Sequence, residues 1–399
     1  MQWKLKEGAE LWMILLDKVK GYTRVEDSRK AGFYPYFQPL DKDVEMIMLG
    51  SNNYLGLTHH EKLITNCVNE IVKNGTSCTG SRFLNGTLSE HLALEASLAD
   101  FYGRDDAQTF TTGYQANLGV ISAMAGRGDY VIIDKEAHAS VIDGAMMAVA
   151  QGAKLMRFRH NDAAHLSVVL SKIPDDAGKL VVIDGVYSMS GELAPLNEIV
   201  PVCKANGAFL VVDDAHGSGV LGNQGRGTVD HFGLNEQVDL ITGTFSKSFA
   251  SLGGYVVGEA KVIDFIRHQA RSLIFSASMT PVSVAAATAA LDIMLTEPDR
   301  QQRVNENTTF MRNGLRELGF DIGSSTTPII PIFIRDEYLT VHAQKRLLEL
   351  GVYTNPVVPP AVTMKDCMLR TSYMATHTIE ELTRALKVFE QVGKEIGVI

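Results

Sequence analysis

The sequence lacks several features that define large classes of proteins. It has only 4 cysteines in 399 residues, and they are scattered without the paired spacing of a metal-binding or disulfide-rich protein. It contains no basic run, and its formal net charge of −9 disfavours nucleic acid as a partner. No apolar run reaches the ~20 residues that a membrane-spanning helix needs. We therefore expect free thiols, a reducing cytoplasmic location and no nucleic acid.

The N-terminal region does not have the pattern of a secretory signal. The apolar stretch Leu11–Leu16 is too short and is followed at once by Asp17, Lys18 and Lys20. Residues 1–50 are predicted to form an amphipathic helix and an irregular arm that packs on the protein or on a second copy. Peripheral contact with a membrane surface is the alternative, although acidic residues interrupt the stretch.

The composition is that of a globular protein with an ample core, with 45% hydrophobic and 21% charged residues. From about residue 89, apolar strands alternate with helical patterns, which is typical of a mostly parallel sheet covered by helices. We therefore predict an α/β fold with a large domain over residues 51–289. A smaller α+β domain is predicted over residues 290–399. One edge or irregular strand is predicted at Thr327–Arg335, which contains two prolines.

A lysine follows a predicted buried strand. The strand Val238–Thr242 leads into Thr244–Gly254, where Lys247 stands among Ser, Thr and Gly residues. Burial in an apolar site lowers the pKa of a lysine, so that its amine becomes a nucleophile for carbonyl compounds such as pyridoxal phosphate. The nearby hydroxyls and free N–H groups suit a phosphate. A solvated loop lysine is the alternative, and it is the commoner case for a single lysine.

Other titratable residues also follow predicted strands. Asp213 and Asp214 come directly after a strand of apolar residues, His216 follows them, and His138 lies just past another strand. Open α/β sheets bind ligands at the carboxyl ends of their strands, so these side chains are candidates for one site. A buried aspartate needs a cationic partner, and a pyridinium nitrogen is one. For His138, a loop histidine with satisfied hydrogen bonds is the alternative.

Several polar segments are consistent with more than one function. Gly75–Thr87 is either a binding loop or a mobile segment. Thr111–Asn117 opens a helix with a turn that presents N–H groups to an anion. Gly217–Gly222 matches the G-x-G-x-x-G pattern, but acidic residues precede it and helix-breaking residues follow, which argues against a dinucleotide site. Arg370 lies within a strand, where a surface arginine with a salt-bridge partner is the ordinary interpretation.

Taken in order, these segments resemble the α-oxoamine synthases, which are pyridoxal-phosphate enzymes of the aspartate-aminotransferase fold. The resemblance covers nearly the whole chain, from about Ser51 to Thr378. Pro359-Pro360 is followed by Ala361, as in members that use serine, whereas biotin-pathway members have threonine there. The segments most similar to the bacterial members that use serine are Gly75–Thr87, Gly243–Gly254, Ser276–Pro281, Asn355–Val358 and Tyr373–Thr378.

The resemblance implies a role for each candidate residue. Lys247 would carry pyridoxal phosphate as an internal aldimine, and Asp213 would keep the pyridine nitrogen protonated. His138 would stack on the ring and help to bind the substrate, and His216 would lie near the 3-oxygen of the ring. Residues that would hold the phosphate or line its pocket are Gly113, Tyr114, Ser188, Thr244 and Ser246, together with Ser276 and Ala277 from the neighbouring subunit.

The implied enzyme is a homodimer with shared active sites and no metal. Arg370 would clamp the carboxylate of the amino acid, with Asn52 nearby. The reaction is a decarboxylative Claisen condensation in which the released Lys247 removes the α-proton and the resulting carbanion attacks an acyl-CoA thioester. With L-serine and palmitoyl-CoA the products are 3-ketodihydrosphingosine, coenzyme A and CO2, at the entry to sphingolipid biosynthesis. Arg267, His268 and Arg271 either contact coenzyme A phosphates or form a solvated helix face.

Three alternatives stay open at this point. A sister synthase would use glycine or alanine, as 2-amino-3-ketobutyrate CoA ligase and 8-amino-7-oxononanoate synthase do. An aminotransferase of the same fold would form a keto acid without releasing coenzyme A. A catalytically silent scaffold subunit should lack the lysine, and Lys247 is present.

Overall fold

The structure is a computed structural model that describes residues 14–30, 32, 34–40 and 46–399. Residues 14–20 are helical (α1), and the rest of the predicted N-terminal helix lies outside the described residues. The strands are β1 (Ile47–Met48), β2 (Asp106–Phe110), β3 (Tyr130–Asp134), β4 (Lys154–Phe158), β5 (Lys179–Asp184), β6 (Phe209–Asp213), β7 (Leu240–Thr244), β8 (Gly254–Gly258), β9 (Ile329–Phe333), β10 (Val352–Tyr353), β11 (Asn355–Val357) and β12 (Met368–Ser372).

Helices occupy much of the remaining chain, and short 3-10 turns lie at Asn223–Gly225 and Met364–Asp366. In the first half they are α2 (Arg24–Lys30), α3 (Glu61–Asn74), α4 (Ser89–Tyr102), α5 (Gly113–Met124), α6 (Ala139–Ala150), α7 (Ala163–Leu170) and α8 (Leu196–Ala205). In the second half they are α9 (Gly227–His231), α10 (Ala260–Gln269), α11 (Arg271–Ile274), α12 (Pro281–Thr296), α13 (Asp299–Glu317), α14 (Glu337–Glu349) and α15 (Ile379–Glu395). None of the described helices is long and apolar enough to cross a membrane.

A seven-stranded sheet forms the centre of the large part of the molecule. Its order is β2-β8-β7-β6-β5-β3-β4, and only β8 runs antiparallel to its neighbours. Separate hydrophobic clusters cover the two faces of the sheet, and its central strands β3, β5 and β6 form near-continuous apolar runs. The edge strand β4 is partly exposed. The predicted mostly parallel α/β sheet is confirmed. The carboxyl ends of β3, β5, β6 and β7 meet at one edge.

The C-terminal part is built on a smaller antiparallel sheet of order β11-β12-β9. The proline-containing β9 lies at the edge of this sheet, as predicted. Residues from the predicted N-terminal arm join this part, because β1 pairs in parallel with β10 and Ile47 and Leu49 pack into its hydrophobic cluster. This pairing brings the segment after β1, which contains Asn52, close to β12. The domain boundaries at 50/51 and 289/290 stay predictions.

Some predicted elements differ in their bounds. The strand before Lys247 is shifted to Leu240–Thr244. The helical segment after β8 is divided into α10 and α11, because Ala270 is extended with φ −70° and ψ 103°. Gly217–Gly222 leads into a 3-10 turn rather than an α-helix, so the dinucleotide pattern has no helix N-terminus to bind a pyrophosphate.

Candidate active site

A cavity of about 230 Å³ opens at the carboxyl edge of the seven-stranded sheet. Strand ends and the first turns of the following helices supply its wall, which is where ligands bind in open α/β sheets. Eight of the predicted site residues line it, namely Gly113, Tyr114, His138, Asp213, His216, Thr244, Ser246 and Lys247. Unpredicted lining residues include Thr112, Asn117, Ser140, Asp184, Val186 and Leu252.

Lys247 lies in the turn that follows β7, with its amine reaching the cavity. Burial lowers the pKa of this amine to about 8 from an ordinary value of 10.5, although the nearby Asp213 opposes the shift. The amine makes no hydrogen bond or ion pair to any residue that the structure describes. It is therefore neutral and nucleophilic at a pH where an ordinary lysine is protonated.

Asp213 ends β6 and is held by hydrogen bonds from its surroundings. Asn117 donates from Nδ2 to Oδ2 of Asp213 at 2.6 Å, and the backbone N–H of Ala215 donates to Oδ1 at 3.0 Å. Thr242 in turn donates to Oδ1 of Asn117. The carboxylate is therefore fixed at the cavity wall, where it can pair with a cation such as a pyridinium nitrogen.

The second aspartate of the pair does not reach the cavity. Asp214 is fully buried and accepts hydrogen bonds from the backbone N–H and the hydroxyl of Thr228. Burial raises its pKa to about 7. The prediction that both aspartates lie at the ligand edge is wrong for Asp214, because successive residues leaving a strand point to opposite sides.

His138 is the N-cap residue of α6 and lines the cavity. Its Nδ1 accepts from the backbone N–H of Ser140 at 3.2 Å and lies 2.7 Å from Oγ of the same residue. Its own backbone N–H donates to the buried Asp184 at 3.0 Å. His138 is exposed, but the concave protein surface around its ring removes part of the surrounding water. This desolvation disfavours the charged form of the ring and lowers its pKa. His138 is therefore a neutral ring with a fixed orientation.

His216 connects the cavity to a second group of side chains. Its Nδ1 forms a hydrogen bond of 2.8 Å with the hydroxyl of Tyr54, which lies 3.3 Å from Oδ1 of Asn52. Burial, followed by the charges of Lys247 and Arg370, holds the pKa of His216 well below its ordinary value. His216 is thus a neutral hydrogen-bonding group in the wall of the cavity.

The start of α5 and the end of β7 present hydrogen-bond donors to the same part of the cavity. The backbone N–H groups of Gly113 and Tyr114 have no acceptor among the described residues, as expected for a helix N-terminus. The hydroxyls of Thr244 and Ser246 lie 2.7 Å apart beside them. A Cβ at Gly113 would lie 2.7 Å from Cβ of Thr244. Only glycine therefore permits this close approach, and the resulting cradle fits a phosphate.

Arg370 lies in β12, and it is buried rather than a surface arginine with a salt bridge. Its Nε donates to the carbonyl of Ser188 at 2.6 Å, and its Nη2 donates to Oδ1 of Asn52 at 3.0 Å. It pairs with no carboxylate among the residues that the structure describes. A buried guanidinium normally has an anionic partner, and Arg370 still has N–H donors that no described residue accepts. It is therefore suited to bind the carboxylate of a substrate.

Three predicted cofactor residues, Ser188, Ser276 and Ala277, do not line this cavity. Ser276 accepts a hydrogen bond from Gln115, and the carbonyl of Ala277 accepts one from Thr111. Their contribution to a neighbouring subunit stays a prediction. Of the three basic residues considered for coenzyme A, Arg267 donates to Gln108 and Asp106. Contact of these residues with coenzyme A stays a prediction.

Sequence reasoning missed four residues that organise the site. Asp184 had a usable signal, because it ends β5 directly beside the end of β6. Asn117 is four residues after Gly113 and therefore lies on the same face of α5. Tyr54 and Ser140 gave no signal, because their roles depend on tertiary contacts.

The chain is similar to proteins of known family along nearly its whole length. The family model for aminotransferase class I and II matches residues 44–389. A serine palmitoyltransferase from Sphingobacterium spiritivorum is 44% identical over 96% of this chain and 97% of its own. An 8-amino-7-oxononanoate synthase from Exiguobacterium sibiricum is 42% identical over 94% of this chain and 98% of its own.

Solved structures agree with these sequence relatives. A serine palmitoyltransferase variant from S. paucimobilis, with a bound PLP–myriocin aldimine, has a TM-score of 0.93 and 36% identity, covering 96% of this chain and 100% of its own. A Sphingomonas wittichii serine palmitoyltransferase has a TM-score of 0.86 and 40% identity, covering 89% and 88%.

The fold and the family match define the class: this chain belongs to the aminotransferase class I and II family. Within that family the predicted resemblance to the α-oxoamine synthases is confirmed. Among these, the predicted similarity to bacterial members that use serine is confirmed by relatives that are serine palmitoyltransferases.

Proposed function

We propose that this protein is a pyridoxal-phosphate-dependent acyltransferase that condenses L-serine with a long-chain acyl-CoA such as palmitoyl-CoA. The products are 3-ketodihydrosphingosine, coenzyme A and CO2, and the reaction begins sphingolipid biosynthesis. The observation that carries the proposal is the presence of two buried cationic groups that have no carboxylate partner among the described residues. They are the amine of Lys247, whose pKa is lowered to about 8, and the guanidinium of Arg370. The first suits an aldehyde cofactor and the second suits an amino-acid carboxylate.

The cavity fits pyridoxal phosphate at each of its chemical groups. Lys247 would hold the aldehyde, Asp213 would hold a proton at the pyridine nitrogen, and the cradle at Gly113 and Thr244 would bind the phosphate. When bound, the cofactor supplies an electron-accepting ring that stabilises negative charge at the α-carbon of the amino acid. His138 and His216, both neutral, would contact the ring without adding positive charge to the wall.

The chain's own residues then bind and deprotonate the amino acid. Arg370 binds the carboxylate and is itself held by Asn52 and Ser188. Lys247 is a suitable base for the α-proton, because its lowered pKa of about 8 lies near neutral pH. Acylation of the resulting carbanion by the thioester releases the thiol of coenzyme A, and loss of CO2 completes the reaction.

A sister synthase that uses another amino acid is the second candidate. The 42% identity to an 8-amino-7-oxononanoate synthase is close to the 44% identity to a serine palmitoyltransferase. Both reactions need the same cavity, cofactor and carboxylate clamp, so the amino-acid preference distinguishes them.

The assembly and location are further parts of the proposal. We infer a homodimer with shared active sites, because Ser276 and Ala277 lie beside the start of α5 but outside this chain's own cavity. The four free thiols favour the cytoplasm. Peripheral membrane contact would place the enzyme near its acyl-CoA, and α1 presents exposed apolar residues such as Ile14, Leu15 and Val19.

The test is a condensation assay with the protein loaded with pyridoxal phosphate. Palmitoyl-CoA is supplied with L-serine, glycine or L-alanine in parallel, and thiol release, CO2 and the mass of the product are measured. We expect turnover with L-serine and a product of the mass of 3-ketodihydrosphingosine. Turnover with only glycine or L-alanine would favour the sister synthase, and keto-acid formation without thiol release would indicate an aminotransferase.

A further inference from the structure

A histidine outside the cavity is surrounded by carboxylates. His160 lies in the turn after β4, with Nδ1 3.0 Å from Oδ1 of Asp134 and Nε2 3.1 Å from Oε2 of Glu192. Glu136 approaches Nε2 at 3.8 Å. Both ring nitrogens face carboxylate oxygens, which only accept hydrogen bonds, so both must donate and the ring is an imidazolium.

The carboxylates of this cluster also stabilise the imidazolium form of His160. Burial disfavours the charged ring, but hydrogen bonds to Asp134 and Glu192 outweigh it and raise the pKa of His160 to about 10. The same contact lowers the pKa of Glu192 to about 2. The ring also packs edge-on against Tyr187, with ring centroids 4.3 Å apart. His160 is therefore a permanent cation at neutral pH.

The cluster holds one end of a short hairpin. This 186–193 hairpin is closed by a bridge between Val186 and Leu193 and by a hydrogen bond from the N–H of Tyr187 to the carbonyl of Glu192. Asp134 anchors the cluster to the end of β3, and Glu192 belongs to the hairpin. His160 thus ties the hairpin to the central sheet through two charge-assisted hydrogen bonds.

The same hairpin reaches the C-terminal part of the protein. Ser324 donates to Oε1 of Glu192 at 2.6 Å, and Thr327 donates to the carbonyl of Gly191 at 2.9 Å. At its tip, the carbonyl of Ser188 accepts from Nε of Arg370 at 2.6 Å. A displacement of the hairpin would therefore rotate or release the guanidinium.

We propose that His160 is a positioning residue, whose ion pairs with Asp134 and Glu192 fix the 186–193 hairpin so that Ser188 orients Arg370 toward the carboxylate of the amino-acid substrate. This inference rests on the proposed function, because it takes Arg370 as the carboxylate clamp. His160 itself does not line the cavity. Its effect should therefore fall on amino-acid affinity rather than on cofactor binding.

The test compares His160→Gln with a matched histidine. Nε2 of His60 lies 3.1 Å from Oε1 of Glu297, and its side chain is 17% exposed, against 3.1 Å and 19% for His160 with Glu192. The dissociation constant of L-serine is read from the visible absorbance of the protein loaded with pyridoxal phosphate. His160→Gln should weaken L-serine binding about 2- to 30-fold, with cofactor affinity and kcat at saturating L-serine nearly unchanged. His60→Gln should leave L-serine affinity unchanged.

Two further variants keep the test decisive. If His160→Gln fails to fold, Glu192→Gln removes the ion pair but keeps an acceptor for Ser324, and it should weaken L-serine binding in the same direction. In an Arg370→Ala background, His160→Gln should cause no additional weakening, because its effect passes through Arg370.

The contradicting results are distinct. Unchanged L-serine affinity in His160→Gln, or equal weakening with and without Arg370, would overturn the positioning role while leaving the proposed function intact. A wild-type protein that binds no α-amino acid would overturn both.

Discussion

The cofactor cavity and the carboxylate clamp are built in different ways. In the cavity, Asp213 ends one strand of the sheet and Lys247 lies three residues after the end of the next. In the clamp, Arg370 is held by Asn52 and Ser188, which are 318 and 182 residues away in the sequence. The first group is positioned by one sheet, and the second by the packing of two parts of the chain. Changes to the clamp should therefore alter substrate binding while cofactor binding persists.

The largest expected effect is at the centre of the cavity. Lys247→Ala removes both the amine that binds the aldehyde and the base for the α-proton, so condensation should fall by at least about 10³-fold. Thiol release from palmitoyl-CoA with L-serine measures it. Lys204→Ala, which removes a surface lysine paired with Asp239, is the control and should keep full activity. If Lys247→Ala retained condensing activity, the assignment of this cavity as the active site would be wrong.

Two adjacent aspartates offer a second test of the cavity. Asp213→Asn should lower kcat by roughly 10²-fold, because the charge opposite the pyridine nitrogen is lost. Asp214→Asn should mainly lower stability, by about 1–3 kcal/mol, because its amide would face the N–H and hydroxyl donors of Thr228. Kinetics and thermal unfolding of both variants are compared. Equal decreases in kcat for Asp213→Asn and Asp214→Asn would contradict the assignment of different roles to the two aspartates.

The phosphate cradle should respond to one added methyl group. Gly113→Ala places a Cβ against Thr244, and the overpacking of about 1–3 kcal/mol should weaken pyridoxal-phosphate binding. Gly126→Ala is the matched control, because a Cβ there meets no atom within 4 Å. Cofactor dissociation is measured by fluorescence. Equal affinity in the two variants would argue against a phosphate at the start of α5.

The smallest effect concerns the pH dependence of cofactor capture. Because burial lowers the pKa of Lys247 to about 8, the reactive neutral amine predominates above that pH and is lost as the pH falls below it. Capture of pyridoxal phosphate by the cofactor-free protein should therefore slow about tenfold for each pH unit below 8 and level off above it. Stopped-flow absorbance measures the rate. A rate that keeps rising toward pH 10.5, the ordinary lysine value, would indicate an unperturbed amine.

The two regions also differ in how far the sequence could predict them. Lys247, Asp213 and His138 were predicted because strand ends of an open parallel sheet converge at one edge. Arg370 was assigned through the family resemblance alone, since its burial and missing partner depend on tertiary packing. The pairing of β1 with β10, which brings Asn52 to the clamp, is a contact between distant segments. The ion cluster around His160 is hidden for the same reason.

The most direct test of the separation between cavity and clamp is an absorbance titration of Arg370→Ala beside the wild-type protein. Both proteins are loaded with pyridoxal phosphate and titrated with L-serine, while the visible band of the bound cofactor is recorded. We expect both to bind the cofactor equally, and the variant to bind L-serine more weakly by about 1.5–3 kcal/mol, since a charge-assisted hydrogen bond is lost. Loss of the cofactor band in Arg370→Ala, or an unchanged response to L-serine, would contradict the account.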